Sequence, residues 1–116
     1  MDKILSKENC LSHYKWGSNC DGWNFISKPD AAIKQELMPA KTAEKLHYHT
    51  YAEQFFFILK GEATFLIEGE TVKVNANAGL QIEAGNKHKI MNESVHDLEF
   101  ILFSYPSTHN DRTDCE

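Results

Sequence analysis

From Trp23 to Tyr105 the chain reads as short apolar runs broken by turn residues, and no long amphipathic helix pattern is visible. Residues 32–38 read as a strand, stopped by Pro39. Residues 45–51 are short and rich in aromatic and histidine side chains. Residues 54–60 are aromatic and aliphatic, and too short for a typical helix. Residues 61–67 and 71–74, joined by Glu68-Gly69-Glu70, predict a hairpin. Within it Ala63, Phe65 and Ile67 alternate with Thr64 and Leu66 at period two. Residues 80–82, His88–Asn92 and Leu98–Tyr105 complete the set, the last stopped by Pro106. Gly61, Gly69, Gly79 and Gly85 mark the expected turns, and Asn77 suits a left-handed turn position. Many short strands with frequent turns predict an all-β sandwich or barrel.

At 116 residues the chain fits one domain with one core. Residues 1–22 are polar and turn-rich, a segment expected to pack on the barrel or pair with it. Residues 23–106 are the expected barrel and 107–116 a tail. The formal charge of −5 argues against nucleic-acid binding, which needs a basic patch. The longest apolar run, 55–59, is strand-sized and far short of a membrane span. The N-terminus carries charges where a signal peptide would be apolar, so a cytoplasmic protein is expected. Cys10, Cys20 and Cys115 form no dense pattern and read as three free thiols. Cys20 is expected in a turn and Cys115 in a frayed end.

Candidate chemistry concentrates in His47-Tyr48-His49. Two histidines at i and i+2 of an extended segment point to the same face, and imidazole is the commonest side-chain ligand for transition metals. Gln54 or Glu53 is a third candidate ligand on the next strand, and His88 a fourth from a separate part of the chain.

In this order and spacing the residues resemble the cupin superfamily. Its first motif, two histidines around one residue, then Glu and a downstream Gly, corresponds to His47, His49, position 54 and Gly61. Its second motif corresponds to Gly85, His88 and Asn92, with Asn77 in a usual Gly position and Glu83 in a usual Pro position. The resemblance implies a single-domain cupin β-barrel, or double-stranded jelly roll. It also implies one divalent transition metal ion (Fe, Mn, Ni, Zn or Cu) held by His47, His49, position 54 and His88. Family members include dioxygenases, isomerases, epimerases, decarboxylases and binding or storage proteins, and many form homodimers. The chain is most similar to small members with a Gln54-Phe55-Phe56 strand and a closing segment carrying Ser104, Pro106, His109, Asp111 and Arg112.

The family's carboxylate is absent from its best-aligned place. Gln54 keeps the spacing to Gly61 and shares a face with Phe56 and Ile58, so Glu53 points away. A neutral amide leaves a divalent ion its full charge, which favours hydroxide or anionic ligands. Phe55 and Phe57 are expected on the face opposite Phe56, packed between sheets or against a second subunit. Glu36 with Met38, or Leu80 with Ile82, could line the cavity; Glu36 is then the candidate general base, and otherwise a solvated strand glutamate. His13, His96 and His109 default to solvated side chains, and Asp111-Arg112 to a salt bridge or subunit contact. The expected function is a metal-dependent, dioxygenase-like enzyme on a small, oxygen-rich, anionic substrate. The alternatives are a sugar isomerase or epimerase, or a non-catalytic ligand-binding or sensing barrel. Ligand type disfavours only calcium and magnesium.

Overall fold

A computed structural model describes residues 3–116. A single 3-10 turn, Lys7–Asn9, precedes the first strand. One sheet contains β1 (Ser12–Trp16), β2 (Cys20–Lys28), β3 (Ala31–Met38), β6 (Glu53–Lys60), β9 (Gly79–Ile82) and β11 (Leu98–Tyr105), in the order β1-β2-β3-β11-β6-β9. The facing sheet contains β5 (His47–Tyr48), β7 (Glu62–Ile67), β8 (Glu70–Asn75), β10 (His88–Asn92) and β12 (Thr113–Asp114), in the order β12-β5-β10-β7-β8. The short β4 (Thr42–Ala43) pairs with β10 beside β5. All pairings are antiparallel, so alternate residues of each strand face the space between the sheets.

Strand alternation explains the core. Along β11, Leu98, Phe100, Leu102 and Ser104 are buried and the residues between them are not. Along β6, Gln54, Phe56 and Ile58 face inward. Phe56 meets Phe65 edge to face at 5.1 Å and tilts against Phe100 at 5.5 Å. Met38, Ile58, Phe65, Ile90 and Phe100 pack together as the apolar layer between the sheets. Each such side chain, fully buried, contributes about 1.5–3 kcal/mol of transfer free energy. Buried polar residues bound this layer on both sides: along β10, His88 and Asn92 flank Ile90, and the Asn92 amide donates to the Met38 carbonyl at 2.9 Å.

Turn chemistry matches local need. The β7–β8 hairpin turns through Glu68 (φ 47°) and Gly69 (φ 83°), the positive pair a two-residue hairpin loop requires. Asn77 adopts φ 68°. Gly61 has φ 88°, and a Cβ there would sit 2.6 Å from the Asp97 carbonyl, so both conformation and space exclude a larger residue.

Several expectations are corrected. β2 runs through residue 23, and β1 pairs with β2 across Tyr14↔Gly22 and β2 with β3, so residues 12–22 join the barrel's sheet. The polar composition of 12–22 reflects an edge hairpin with one wet face. Cys20 is not in a turn but begins β2, fully buried against the core. Gly79 begins β9, where the Phe55 ring occupies the space a Cβ would need. Cys115 is exposed but not frayed, because its amide donates to the Leu46 carbonyl at 2.8 Å. Leu80 and Ile82 pack with the core and do not line the cavity. Among the described residues no helix is long and apolar enough to cross a membrane.

Candidate metal centre

His47 and His88 are direct cross-strand partners on β5 and β10. His49 follows β5 by one residue and lies on the same face as His47, with Tyr48 turned the other way. All three imidazoles are buried, and one ring nitrogen from each lies within 4.8 Å of the others. His47 is 4.4 Å from His88 and 4.9 Å from His49, centroid to centroid.

Backbone carbonyls fix the tautomers. His47 Nδ1 lies 2.7 Å from the Lys45 carbonyl, His49 Nδ1 2.5 Å from that of Asp111, and His88 Nδ1 2.9 Å from that of Asn86. A carbonyl only accepts, so each Nδ1 carries the proton and donates it. Each Nε2 is then a lone pair aimed into the cluster. The Nε2 of His49 is buried with no hydrogen-bond partner, which ordinarily costs about 1–3 kcal/mol. Burial also pushes the His47 ring down to about 3 and the His88 ring to about 4, and lowers His49. Three neutral, aligned, lone-pair nitrogens form a donor set that fits a transition metal.

Gln54 is buried and Glu53 is not. Glu53 turns outward, where Gln81 donates to it at 2.8 Å. Gln54 Oε1 lies 3.2 Å from His88 Nε2, and its amide nitrogen donates to Ser104 Oγ at 3.1 Å. With His88 protonated on Nδ1, two acceptors face each other across that gap. A cation held by this cluster would relieve the conflict. A half-turn of the amide does so too, because the Ser104 hydroxyl can either accept or donate.

His47, His49 and Gln54 form one wall of a cavity of about 270 Å³. Tyr14, Trp16, Lys34, Glu36, Glu44 and Arg112 bring polar chemistry to its other walls, with Phe56 and Leu102 as its apolar part. Glu36 is therefore a cavity residue and not a solvated one, while its face-mate Met38 lies in the core. Tyr14 donates a hydrogen bond to Glu36. Burial raises Glu36, against the pull of that bond. Burial and then the Glu36 charge push Glu44 up to about 8.

Asp111 and Arg112 do not pair with each other. The Asp111 carboxylate accepts the backbone N–H groups of Thr50 at 2.6 Å and of Tyr51 and Ala52 at 3.0 Å. Those bonds hold it below the ordinary range despite the cost of burial. Arg112 reaches the cavity, 2.8 Å from Asp114 and 4.0 Å from Glu44. His13 bonds Asp21 at 2.7 Å and stacks on Trp23, away from the centre, and His96 and His109 also lie outside it. Sequence reasoning missed Tyr14, Lys34, Glu44 and Arg112 as cavity residues. The closing Asp111-Arg112 pair was visible as a motif, but not its direction.

The Cupin domain family matches residues 34–104, more than half of the chain. The chain belongs to the cupin family. The match spans β3 to β11 and includes all three histidines. The cupin is 28% identical over 60 residues to "Polyketide synthase CurC" of Streptomyces cyaneus, across 52% of this chain and 39% of that one. It thus spans well under half the length of that relative. Among solved structures, an uncharacterized double-stranded beta-helix protein of Klebsiella pneumoniae superposes with TM-score 0.81 at 17% identity, covering 100% of this chain and 99% of that one. A Thermotoga maritima protein titled a predicted oxalate decarboxylase superposes with TM-score 0.79 at 20% identity, covering 90% and 100%. At such identities the structural likeness shows the fold.

The buried rings make a pH prediction for the metal-free cupin. His47 and His88 are depressed in the fold, so below pH 6.5 the unfolded chain binds protons that the folded chain refuses. Their contribution is fully present above pH 6.5 and is lost as pH falls through about 4 and about 3. Glu44 has the opposite sign: its contribution is present at low pH and is lost as pH rises from 4.5 through about 8. Urea midpoints across this range should fall on both sides of an optimum near neutrality. A bound metal should deepen the loss on the acid side, because protons then compete for the ligands.

Proposed function

We propose that this cupin is a metal-dependent enzyme acting on a small, oxygen-rich, anionic substrate. His47, His49 and His88 would hold one divalent transition metal, with Gln54 as fourth ligand or as an outer partner. The observation that carries this reading is the orphaned His49 Nε2, a buried lone pair beside two others that backbone carbonyls orient the same way. The ion would supply Lewis-acid polarisation of a substrate oxygen. Lys34 and Arg112 offer positive charge to an anionic group, and Phe56 and Leu102 exclude water from one side. Glu44, pushed up to about 8 by burial, can hold or release a proton near neutral pH, and burial raises Glu36 toward its neutral form as well.

The favoured reaction is dioxygenase-like, because a neutral ligand set with open positions suits a substrate that presents two adjacent oxygens. The Glu36–Tyr14 pair favours a second reading, an isomerase or epimerase that moves a proton between carbons. Oxygen uptake by iron-loaded protein with diketone and catechol substrates separates the two from each other. Isomerisation of a keto-sugar by zinc- or manganese-loaded protein identifies the second. Turnover of none of these by any loaded form leaves a binding or sensing barrel. The cytoplasmic location and homodimer expected from sequence belong to this proposal. The outer face of β6, where Phe55 is exposed, is the surface a second copy would cover.

The charge argument for Gln54 has its own test. Gln54→Glu should tighten zinc binding, by calorimetry, and weaken binding of malonate to the zinc-loaded protein. Higher malonate affinity in the variant would show that the neutral amide does not set the charge of the site.

A further inference from the structure

One row of cross-strand partners is arranged for a purpose that packing alone does not explain. Tyr14, Gly22 and Glu36 lie directly opposite one another across β1, β2 and β3. Gly22 is the middle member, and a Cβ there would collide with the Tyr14 ring. The missing side chain lets the phenol lie flat across β2 and donate to the Glu36 carboxylate from a strand two places away. Both Tyr14 and Glu36 line the same cavity as His47 and His49. The N-terminal hairpin thus delivers a phenol to a carboxyl group that already faces the candidate metal centre.

We propose that Glu36 is the acid–base residue of this site, and that Tyr14, laid across Gly22, is the residue that positions it. This rests on the metal-dependent reading above and specifies its proton chemistry. An ionised Glu36 oxygen takes a proton from a substrate carbon next to a carbonyl. The C–H electron pair becomes the C=C bond, and the carbonyl pair moves onto oxygen at the histidine end of the cavity. Return of the proton from Glu36 to the same carbon, on either face, restores the carbonyl and the carboxylate. Where that carbon carries a hydroxyl, its O–H proton can pass to the enolate oxygen while Glu36 protonates the former carbonyl carbon, which moves the carbonyl by one carbon. No oxidant or reductant is needed, and the step can open either an isomerisation or an oxygen-dependent cleavage. Lys34 lies 5.7 Å from the Tyr14 ring centroid, and it and Arg112 are the cations acting on Glu36. Glu44 and the His47 and His49 rings are the remaining titratable groups of the cavity.

The test uses zinc-loaded protein and pyruvate in D2O, with loss of the methyl proton signal as the readout. Pyruvate supplies a carboxylate, an adjacent carbonyl and an exchangeable C–H in a small frame. Wild type should accelerate exchange over free zinc, and Glu36→Gln should lose at least about 100-fold of that acceleration. Tyr14→Phe removes a bond that favours the ionised Glu36, so the rising limb of the pH profile should move to higher pH. Gly22→Ala should move the limb the same way by displacing the ring. A separate readout needs neither metal nor turnover. By infrared difference titration of the metal-free protein, the carboxylate band that Glu36→Gln removes should appear at higher pH in Tyr14→Phe than in wild type, because a bond that favours the ionised form is gone.

Zinc content measured on the same samples separates the failures. A wild type that takes up no zinc overturns the metal reading itself. The acid–base assignment is overturned if zinc-replete wild type shows no exchange, or if Glu36→Gln keeps full exchange. It is equally overturned if Tyr14→Phe slows exchange evenly without moving the limb.

Discussion

Zinc affinity should fall by more than about a hundredfold in His49→Ala, the upper end of what losing an outer partner costs. The reason is local. His49 is the ligand with no alternative employment: its Nδ1 proton is committed to the Asp111 carbonyl and its Nε2 has no partner. Removing it leaves His47, His88 and Gln54, of which His88 already contacts Gln54. In the metal-free variant, deleting the unsatisfied nitrogen offsets only part of the cost of the lost bond to the Asp111 carbonyl and of the cavity left behind, so the urea midpoint should fall modestly while zinc affinity collapses. Calorimetric zinc titration and a urea melt on the same sample check both halves. Unchanged zinc affinity would place any metal elsewhere.

The second large effect is expected at a residue that touches no metal. Asp111→Ala should destabilise the cupin by about 2 kcal/mol or more, since three backbone N–H groups lose a charged acceptor together. It should also weaken zinc binding by about 10–100-fold, because the Asp111 carbonyl orients the His49 ring and the lost side-chain bonds free that carbonyl to move. The same strap carries Arg112 into the cavity and pairs β12 with β5 beside His47. Histidine cluster, turn 50–52 and C-terminal segment therefore form one unit. Hydrogen exchange should show residues 111–115 more protected with zinc than without, and equal protection would uncouple them.

Strand positions and inward faces follow from local sequence pattern, whereas the cavity's composition depends on residues far apart in the chain. The strands His88–Asn92 and Leu98–Tyr105 fall where alternation and stop residues put them. Period two placed Gln54 inward with Phe56 and Ile58, and Glu53 outward. These are properties of a few consecutive residues. Tyr14 and Glu36 are joined only through a three-strand meander, and nothing near Tyr14 in sequence announces a cavity. Arg112 is placed by a strap whose anchor, Asp111, bonds a turn about sixty residues earlier. Cys20 was misplaced because Asn19-Cys20-Asp21-Gly22 has turn composition, whereas Gly22 serves the Tyr14 ring and Cys20 the core. The cavity's chemistry comes from long-range pairings, and only its histidine wall is written in local motifs.

Three Nε2 lone pairs in this barrel are expected to hold a transition metal. The most direct measurement is elemental analysis of the cupin purified without chelators, followed by X-ray absorption at the edge of whatever metal is found. The account predicts about one transition metal ion per chain, with imidazole nitrogens at about 2.0–2.1 Å if the metal is zinc. Substoichiometric metal that reconstitution does not restore, or a coordination shell without imidazole, would contradict it.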